Sequence, residues 1–230
     1  MKKIYIIVLI PILLVGAFLI VNSNQEKDSD FKAIFEKWDK GAIEATESAD
    51  IMESLVNYLI ENPTISSEDI EDFSPLIKVY EKDGFRIIEY IENPESYGSS
   101  ARGSYHIAMC DGGVELIDSN GSTRINNMVK LSDVQYYIYV TDYRFSNITG
   151  INIYSIVIDE HSIRQKQAIA KTKMPGFVYN DVNNVLYYDD EHIYYKEISK
   201  NGNEVVLEVG KVNFLLILEE DSLYHIHKNN

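Results

Sequence analysis

The stretch that decides the fold is Val134-Gln135-Tyr136-Tyr137-Ile138-Tyr139-Val140-Thr141. Aromatic and β-branched residues favour extended backbone, and side chains of a strand point alternately to its two faces. The stretch therefore predicts a strand with one face that is wholly apolar and another that is rich in tyrosine. The predicted apolar face carries Val134, Tyr136, Ile138 and Val140, and the other carries Gln135, Tyr137, Tyr139 and Thr141.

The same period of two runs from Ser74 to the C-terminus and predicts an antiparallel β domain over residues 74–230. Asp83-Gly84 lies between two such runs and predicts a tight hairpin, because both residue types tolerate positive φ. Asn120-Gly121 and Asn201-Gly202 predict further turns. The run 212–218 is apolar on both faces and predicts a central strand.

A weak internal repeat runs through this region. An acidic turn (Asp111-Gly112, then Asp190-Glu191) precedes a strand that ends in Asn-Gly, and Asp221 begins a third copy. The rhythm is typical of propeller-blade hairpins. Any hairpin shares this turn chemistry, so an open or curled meander is the preferred interpretation.

Residues 30–73 are predicted to be helical, which makes the whole chain α+β. Apolar residues recur at helical spacing and form one stripe, with acidic residues on the opposite face. The stripe predicts packing on the β domain, with a coiled-coil interface as the alternative. Ser66 and Asp69 match a capping box and predict a second short helix. The stripe comprises Phe31, Ile34, Phe35, Trp38, Ala42, Ala45, Ala49, Met52, Val56 and Leu59.

The N-terminus predicts export. Lys2 and Lys3 precede the uncharged segment 4–21, which as a helix spans about 27 Å, close to the hydrocarbon thickness of a bilayer. The positive flank keeps residues 1–3 in the cytoplasm and places the rest outside, after a polar linker over 22–29. We predict a single-pass cell-membrane anchor or uncleaved signal; if the segment is cleaved, the protein is secreted.

Charge and cysteine content narrow the classes of partner. The formal net charge is −15, and no basic cluster offsets it. Such a surface repels phosphate backbones, so nucleic-acid binding is excluded. Cys110 is the single cysteine, so the chain has no intramolecular disulfide. No motif predicts a cofactor.

Two sets of residues are candidate sites. Tyrosines in neighbouring strands could form an aromatic platform for a glycan or peptide, although cross-strand pairing explains them equally. His225 and His227 share one face of a strand, as paired metal ligands do, with His192 or Asp190 as a third ligand; the alternative is an ordinary sheet edge. The predicted platform comprises Tyr136, Tyr137, Tyr139, Tyr187, Tyr188, Tyr194 and Tyr195.

Three functions remain open. The leading hypothesis is a membrane-anchored extracytoplasmic binding module of the cell envelope, with a protein or glycan partner. One alternative is an envelope hydrolase whose carboxylate chemistry is unassigned, since enzyme motifs are absent from the sequence. Another is a structural partner of a second membrane protein through the apolar stripe. A binding module predicts a shallow surface, and a hydrolase predicts a concave acidic pocket. A structural partner predicts an exposed stripe.

Export is tested with reporter enzymes fused after Asn230. A reporter that is active only outside the cytoplasm is expected to be active, and one that is active only in the cytosol is expected to be silent. Deletion of residues 4–21 should reverse both results, because that segment supplies the translocation signal. Cytosolic activity of the intact fusion would contradict the predicted topology.

Overall fold

The computed structural model describes residues 30–37, 45–91, 104–111, 113–121, 123–144, 147–159, 162–180, 185–188, 193–198, 202–209 and 211–228. The predicted membrane segment 4–21, its cytoplasmic flank 1–3 and the linker 22–29 lie outside these residues. Within them, no helix has both the length and the apolar content that are needed to cross a bilayer.

Among the described residues, three helices precede the first strand. The hydroxyl of Ser66 accepts a hydrogen bond from the backbone N–H of Asp69, which confirms the predicted N-cap of the short third helix. The helices are α1 (residues 30–37), α2 (Ala45–Glu61) and α3 (Ser67–Glu71).

The rest of the described chain forms three antiparallel sheets, which confirms the predicted β-rich antiparallel fold. The first sheet contains β1 (Ile77–Lys82), β2 (Phe85–Ile91), β3 (Ser104–Cys110) and β4 (Gly113–Gly121). The middle sheet contains β5 (Thr123–Ser132), β6 (Gln135–Arg144), β7 (Asn147–Asp159), β8 (Ser162–Lys166), β9 (Phe177–Asn180) and β10 (Val185–Tyr188). The last sheet contains β11 (Ile193–Ile198), β12 (Glu204–Val209), β13 (Val212–Leu218) and β14 (Tyr224–Lys228).

The first and last sheets are simple meanders, with strand orders β1-β2-β3-β4 and β11-β12-β13-β14. The middle sheet has the order β5-β6-β7-β10-β9, and β8 pairs with another part of the long strand β7. Its departure from a meander arises because β7 pairs with β8 near one end, at Ser155–Asp159, and with β10 near the other, at Gly150–Asn152.

The sheets stack face to face, and apolar clusters fill the spaces between them. One cluster joins the helices to the first sheet, a second joins the first sheet to the middle sheet, and a third joins the middle sheet to the last. Alternation along the strands allows this arrangement, because each sheet sends apolar side chains to both faces.

Strand β6 shows the alternation most clearly. Tyr136, Ile138 and Val140 belong to the cluster shared with the first sheet, whereas Tyr137 and Tyr139 belong to the cluster shared with the last. The sequence therefore predicted the two faces of this strand correctly. Val134 is an exception, because it lies in the preceding turn and is 52% exposed.

The run 212–218, predicted as a central strand, forms β13, which lies between β12 and β14 in its sheet but is buried on one face only. Phe214 and Leu216 are buried against the middle sheet, but Leu215 and Ile217 on the opposite face remain partly exposed. The physical reason is position, since β13 belongs to the terminal sheet of the stack. Among the described strands, β2, β3, β6 and β7 carry buried side chains on both faces.

The apolar stripe of the helical region packs on the first sheet. Phe31, Phe35, Met52 and Leu59 are buried in one cluster with residues of β1, β2 and β3. Packing on the body, the preferred interpretation of the stripe, is therefore confirmed for Phe31, Phe35, Met52, Val56 and Leu59. Trp38 and Ala42 lie outside the described residues.

Two of the predicted turns have different roles in the structure. Asp83 and Gly84 have φ of 51° and 78°, as the predicted tight hairpin between β1 and β2 requires. Asn120 and Gly121 instead end β4, where the chain passes from the first sheet to the middle sheet, so they do not form a hairpin turn.

Gly202 is expected to be intolerant of a side chain. Its φ is +72°, and a Cβ there would lie 2.5 Å from Cγ1 of Val129 in the middle sheet. Gly202→Ala should lower the free energy of unfolding by more than the roughly 1–2 kcal/mol of a left-handed residue alone, as measured by urea denaturation.

Gly84→Ala is the matched control, because Gly84 has φ +78° and nothing within 4 Å of its Cβ position. Adding Val129→Ala to Gly202→Ala should show favourable coupling in a double-mutant cycle. Equal losses for the two glycine variants, with no coupling to Val129, would contradict the close approach of the two sheets.

Candidate functional sites

The tyrosines of β6 do not form an exposed platform. Tyr136, Tyr137 and Tyr139 are 2%, 0% and 0% exposed. The ligand-facing role predicted for them is corrected to a packing role, because a sheet covers each face of β6. The ring of Tyr136 stacks on Phe85 of the first sheet with a centroid separation of 4.4 Å.

Hydroxyl groups of the same strand join the middle sheet to the last. Tyr139 donates to the carbonyl of Gly202 at 3.1 Å, and its hydroxyl also contacts that of Tyr224. Tyr137 donates to the carbonyl of Ser222 at 2.9 Å. Burial raises the pKa of Tyr137 and of Tyr224, so both remain neutral donors.

Of the other predicted platform residues whose side chains are described, one packs in a core and one is partly exposed. Tyr188 packs edge-on against Phe177 and lies next to Phe214 in the same core. Tyr187 is partly exposed. The strand β11 carries Tyr194 and Tyr195, and their side chains lie outside the described residues.

His225 and His227 lie on the same face of β14, as predicted, and both contact carboxylates. The Nε2 atom of His225 lies 2.9 Å from Oδ2 of Asp221 and 3.8 Å from Oε2 of Glu219. The Nε2 atom of His227 lies 3.0 Å from Oε1 of Glu219. The hydrogen bond from His225 lowers the pKa of Asp221, and the N–H of Leu223 lowers it further.

These contacts connect four side chains at the turn between β13 and β14, in the order Asp221, His225, Glu219 and His227. Among the described residues, no group of three histidine, cysteine or carboxylate side chains is arranged to hold a metal ion. His192 and Asp190, the predicted third ligands, lie outside those residues. Metal binding by His225 and His227 therefore stays a prediction.

The two histidines border the outer face of the last sheet, which we define as the face turned away from the middle sheet. Its aliphatic members, Val206, Leu215 and Ile217, are partly exposed and belong to none of the three apolar clusters of the described chain. Strand register aligns Val206, Leu215 and His227 in one row, and Glu204, Ile217 and His225 in the next.

A second group of chemically active side chains lies between the first and middle sheets. Glu89 and His106 are directly opposite each other on β2 and β3, and are 1% and 0% exposed. Oε1 of Glu89 accepts from the N–H of Ile125 at 2.8 Å and lies 3.5 Å from Nε2 of His106. Its Oε2 accepts from the hydroxyl of Tyr80 at 3.2 Å.

Electrostatics keep this buried carboxylate ionised. Burial raises the pKa of Glu89, but the contact with His106 and the hydrogen bond from Ile125 outweigh burial and lower it overall. The same burial, together with the charge of Glu89, raises the pKa of Tyr80. Glu89 thus links β1, β2 and β3 to β5 of the middle sheet.

Sequence reasoning missed this group. In β2 the single carboxylate Glu89 lies between Ile87 and Ile91 on one face of the strand, and glutamate is usually exposed to solvent. Burial arises because the first sheet is covered on both faces, a tertiary fact. A carboxylate and an imidazole side by side could transfer protons, but at 0–1% exposure neither can reach a substrate.

Comparison with known proteins identifies no family. No protein-family model matches the chain, and no curated protein matches it. Among solved structures, one similarity is to the Penicillium chrysogenum alpha-L-arabinanase complexed with arabinobiose, at 10% sequence identity and a TM-score of 0.26. The match covers 65% of this chain and 44% of that enzyme, less than half its length, and it carries no argument about function.

Glu89→Gln is expected to destabilise the protein by about 2 kcal/mol at neutral pH, because a charge-assisted set of buried hydrogen bonds is weakened. Since the pKa of Glu89 is lowered by folding, its ionisation stabilises the native state above the unfolded-state pKa and ceases to do so as the pH falls below it.

The difference between wild type and Glu89→Gln should therefore shrink when urea unfolding is repeated in acid, below the ordinary glutamate pKa of about 4.3. Glu115→Gln, at an exposed position of β4, is the control and should change stability little at either pH. A Glu89→Gln deficit that grows in acid would contradict an ionised Glu89.

Proposed function

We propose that this protein is a membrane-tethered extracytoplasmic interaction module that binds a protein partner through the outer face of its last sheet. One observation carries the proposal. Helices and sheets cover both faces of the first and middle sheets, whereas Val206, Leu215 and Ile217 are partly exposed and belong to none of the apolar clusters of the described residues. Partly exposed aliphatic residues that lie together on a sheet face are typical of interaction surfaces.

The tether is supported by the N-terminal sequence. Segment 4–21 is uncharged and follows Lys2 and Lys3, and the polar linker 22–29 separates it from the helices. In this proposal the segment holds the stack at the outer surface of the cell membrane, and its cleavage would release the same module.

The strand order gives the proposal an architectural form. The first and last sheets are each four antiparallel strands in chain order, as in propeller blades. In this proposal the stacked sheets are blade-like units, and the partner binds the outer face of the last one.

Two alternative functions have less support. A hydrolase needs an accessible pair of titratable groups in a cleft; Glu89 and His106 are buried, and the exposed pairs His225–Asp221 and His227–Glu219 border a sheet face. Association with a second membrane protein through the helical stripe would need Phe35, Met52 and Leu59 at the surface, but these side chains are fully buried. A glycan platform would need Tyr136, Tyr137 and Tyr139 at the surface, but these side chains are also buried.

Site-specific photocross-linking in the native host tests the proposal. A photoreactive phenylalanine analogue replaces Leu215 in the full-length chain, and an exposed position of β9, Val178, serves as the control. We expect one discrete protein adduct from position 215, because the outer face contacts the partner directly.

Equal cross-linking from both positions, or none from position 215 in cells whose topology reporter is correct, would contradict a partner at this face. Val178 is a suitable comparison because it is 53% exposed, which makes it at least as accessible as Leu215.

A further inference from the structure

The outer face of the last sheet is bordered by acidic side chains. Beside its three aliphatic residues lie the exposed carboxylates of the β13–β14 turn, Glu219 and Asp221, which contact the two histidines. Across residues 193–228, which contain the last sheet, six acidic residues outnumber four lysines, and three of the acidic residues, Glu219, Glu220 and Asp221, are consecutive in the β13–β14 turn.

The histidines do not cancel this charge when they are neutral. A neutral imidazole offers one N–H donor and no positive charge, so the contacts of His225 and His227 leave the carboxylates of Glu219 and Asp221 anionic. A carboxylate also has about four acceptor positions, so one imidazole contact leaves room for a lysine or arginine of a partner.

Charge also argues against the other occupants of this face. A second copy of the chain would bring the same carboxylates into opposition, with a formal net charge of −15 on each copy. An anionic polymer or lipid headgroup would be repelled in the same way. A cationic segment with apolar side chains complements both the carboxylates and the aliphatic row.

We propose that the outer face of the last sheet binds a basic, extended segment of a protein partner. Its apolar side chains pack on Val206, Leu215 and Ile217, and its lysine or arginine side chains pair with the carboxylates of Glu219 and Asp221. A strand places side chains alternately, so a segment that alternates apolar and basic residues can meet both requirements. This inference rests on the proposed function and adds the chemistry of the partner.

A synthetic peptide of alternating leucine and lysine is the probe, and a leucine–glutamate peptide is its counterpart. Fluorescence anisotropy with the full-length protein in detergent should show binding of the first peptide, weakening as salt is added, and no binding of the second. The double variant Glu219→Gln/Asp221→Asn should weaken binding about fivefold, as two exposed ion pairs are lost.

The matched control is Glu53→Gln/Glu115→Gln, which changes net charge equally at exposed positions of α2 and β4. It should leave binding within twofold of wild type, whereas Leu215→Ala should weaken binding in the same way as the double variant at the face. Circular dichroism melts confirm that each variant is folded.

Equal weakening by the two double variants would overturn the proposal, since the peptide would then respond only to total charge. Absence of binding to the leucine–lysine peptide would also overturn it. If position 215 still cross-links to one partner in that case, the proposed function stands and only the partner chemistry fails. A cross-linked second copy of this chain would overturn the basic-partner proposal as well.

Discussion

The structure depends on strands that are buried on both of their faces, and β6 is the main example. β6 lies in the middle sheet, and its alternating side chains enter two different cores: Tyr136, Ile138 and Val140 enter one, and Tyr137 and Tyr139 enter the other. Because each face is apolar or aromatic, neither can be left in water without losing roughly 2 kcal/mol per large side chain. A sheet on each side is the arrangement that satisfies both faces.

Polar groups then occupy positions at which they can join the layers. Tyrosine hydroxyls of β6 bond to carbonyls of the last sheet at Gly202 and Ser222, and Glu89 of the first sheet bonds to the N–H of Ile125 in the middle sheet. Buried groups of this kind stabilise one relative placement of the sheets, because any shift would leave them unsatisfied. The helices cover one end of the stack, and the outer face of the last sheet forms the other.

The sequence predicted local structure correctly, but it did not show which elements pack against one another. The period of two in β6, the hairpin at Asp83–Gly84 and the cap at Ser66 were all readable, since each depends on residues close in the chain. The sheet that packs on each face of β6 could not be predicted, because the contacts join residues far apart in the chain. The hydroxyl of Tyr137, for example, donates to a carbonyl 85 residues away. The same limit hid the burial of Glu89 and His106 and the partial exposure of one face of β13. The histidine pair at 225 and 227 was visible from spacing, but its carboxylate partner Glu219 was not.

Amide hydrogen exchange of β6 tests the central claim most directly. If this strand is enclosed by both neighbouring sheets, the amides of Tyr137, Ile138 and Tyr139 exchange only through global unfolding, with an exchange free energy equal to the free energy of unfolding from urea denaturation. Exchange of these amides at lower free energy than those of the terminal strand β14 would contradict a stack built around β6.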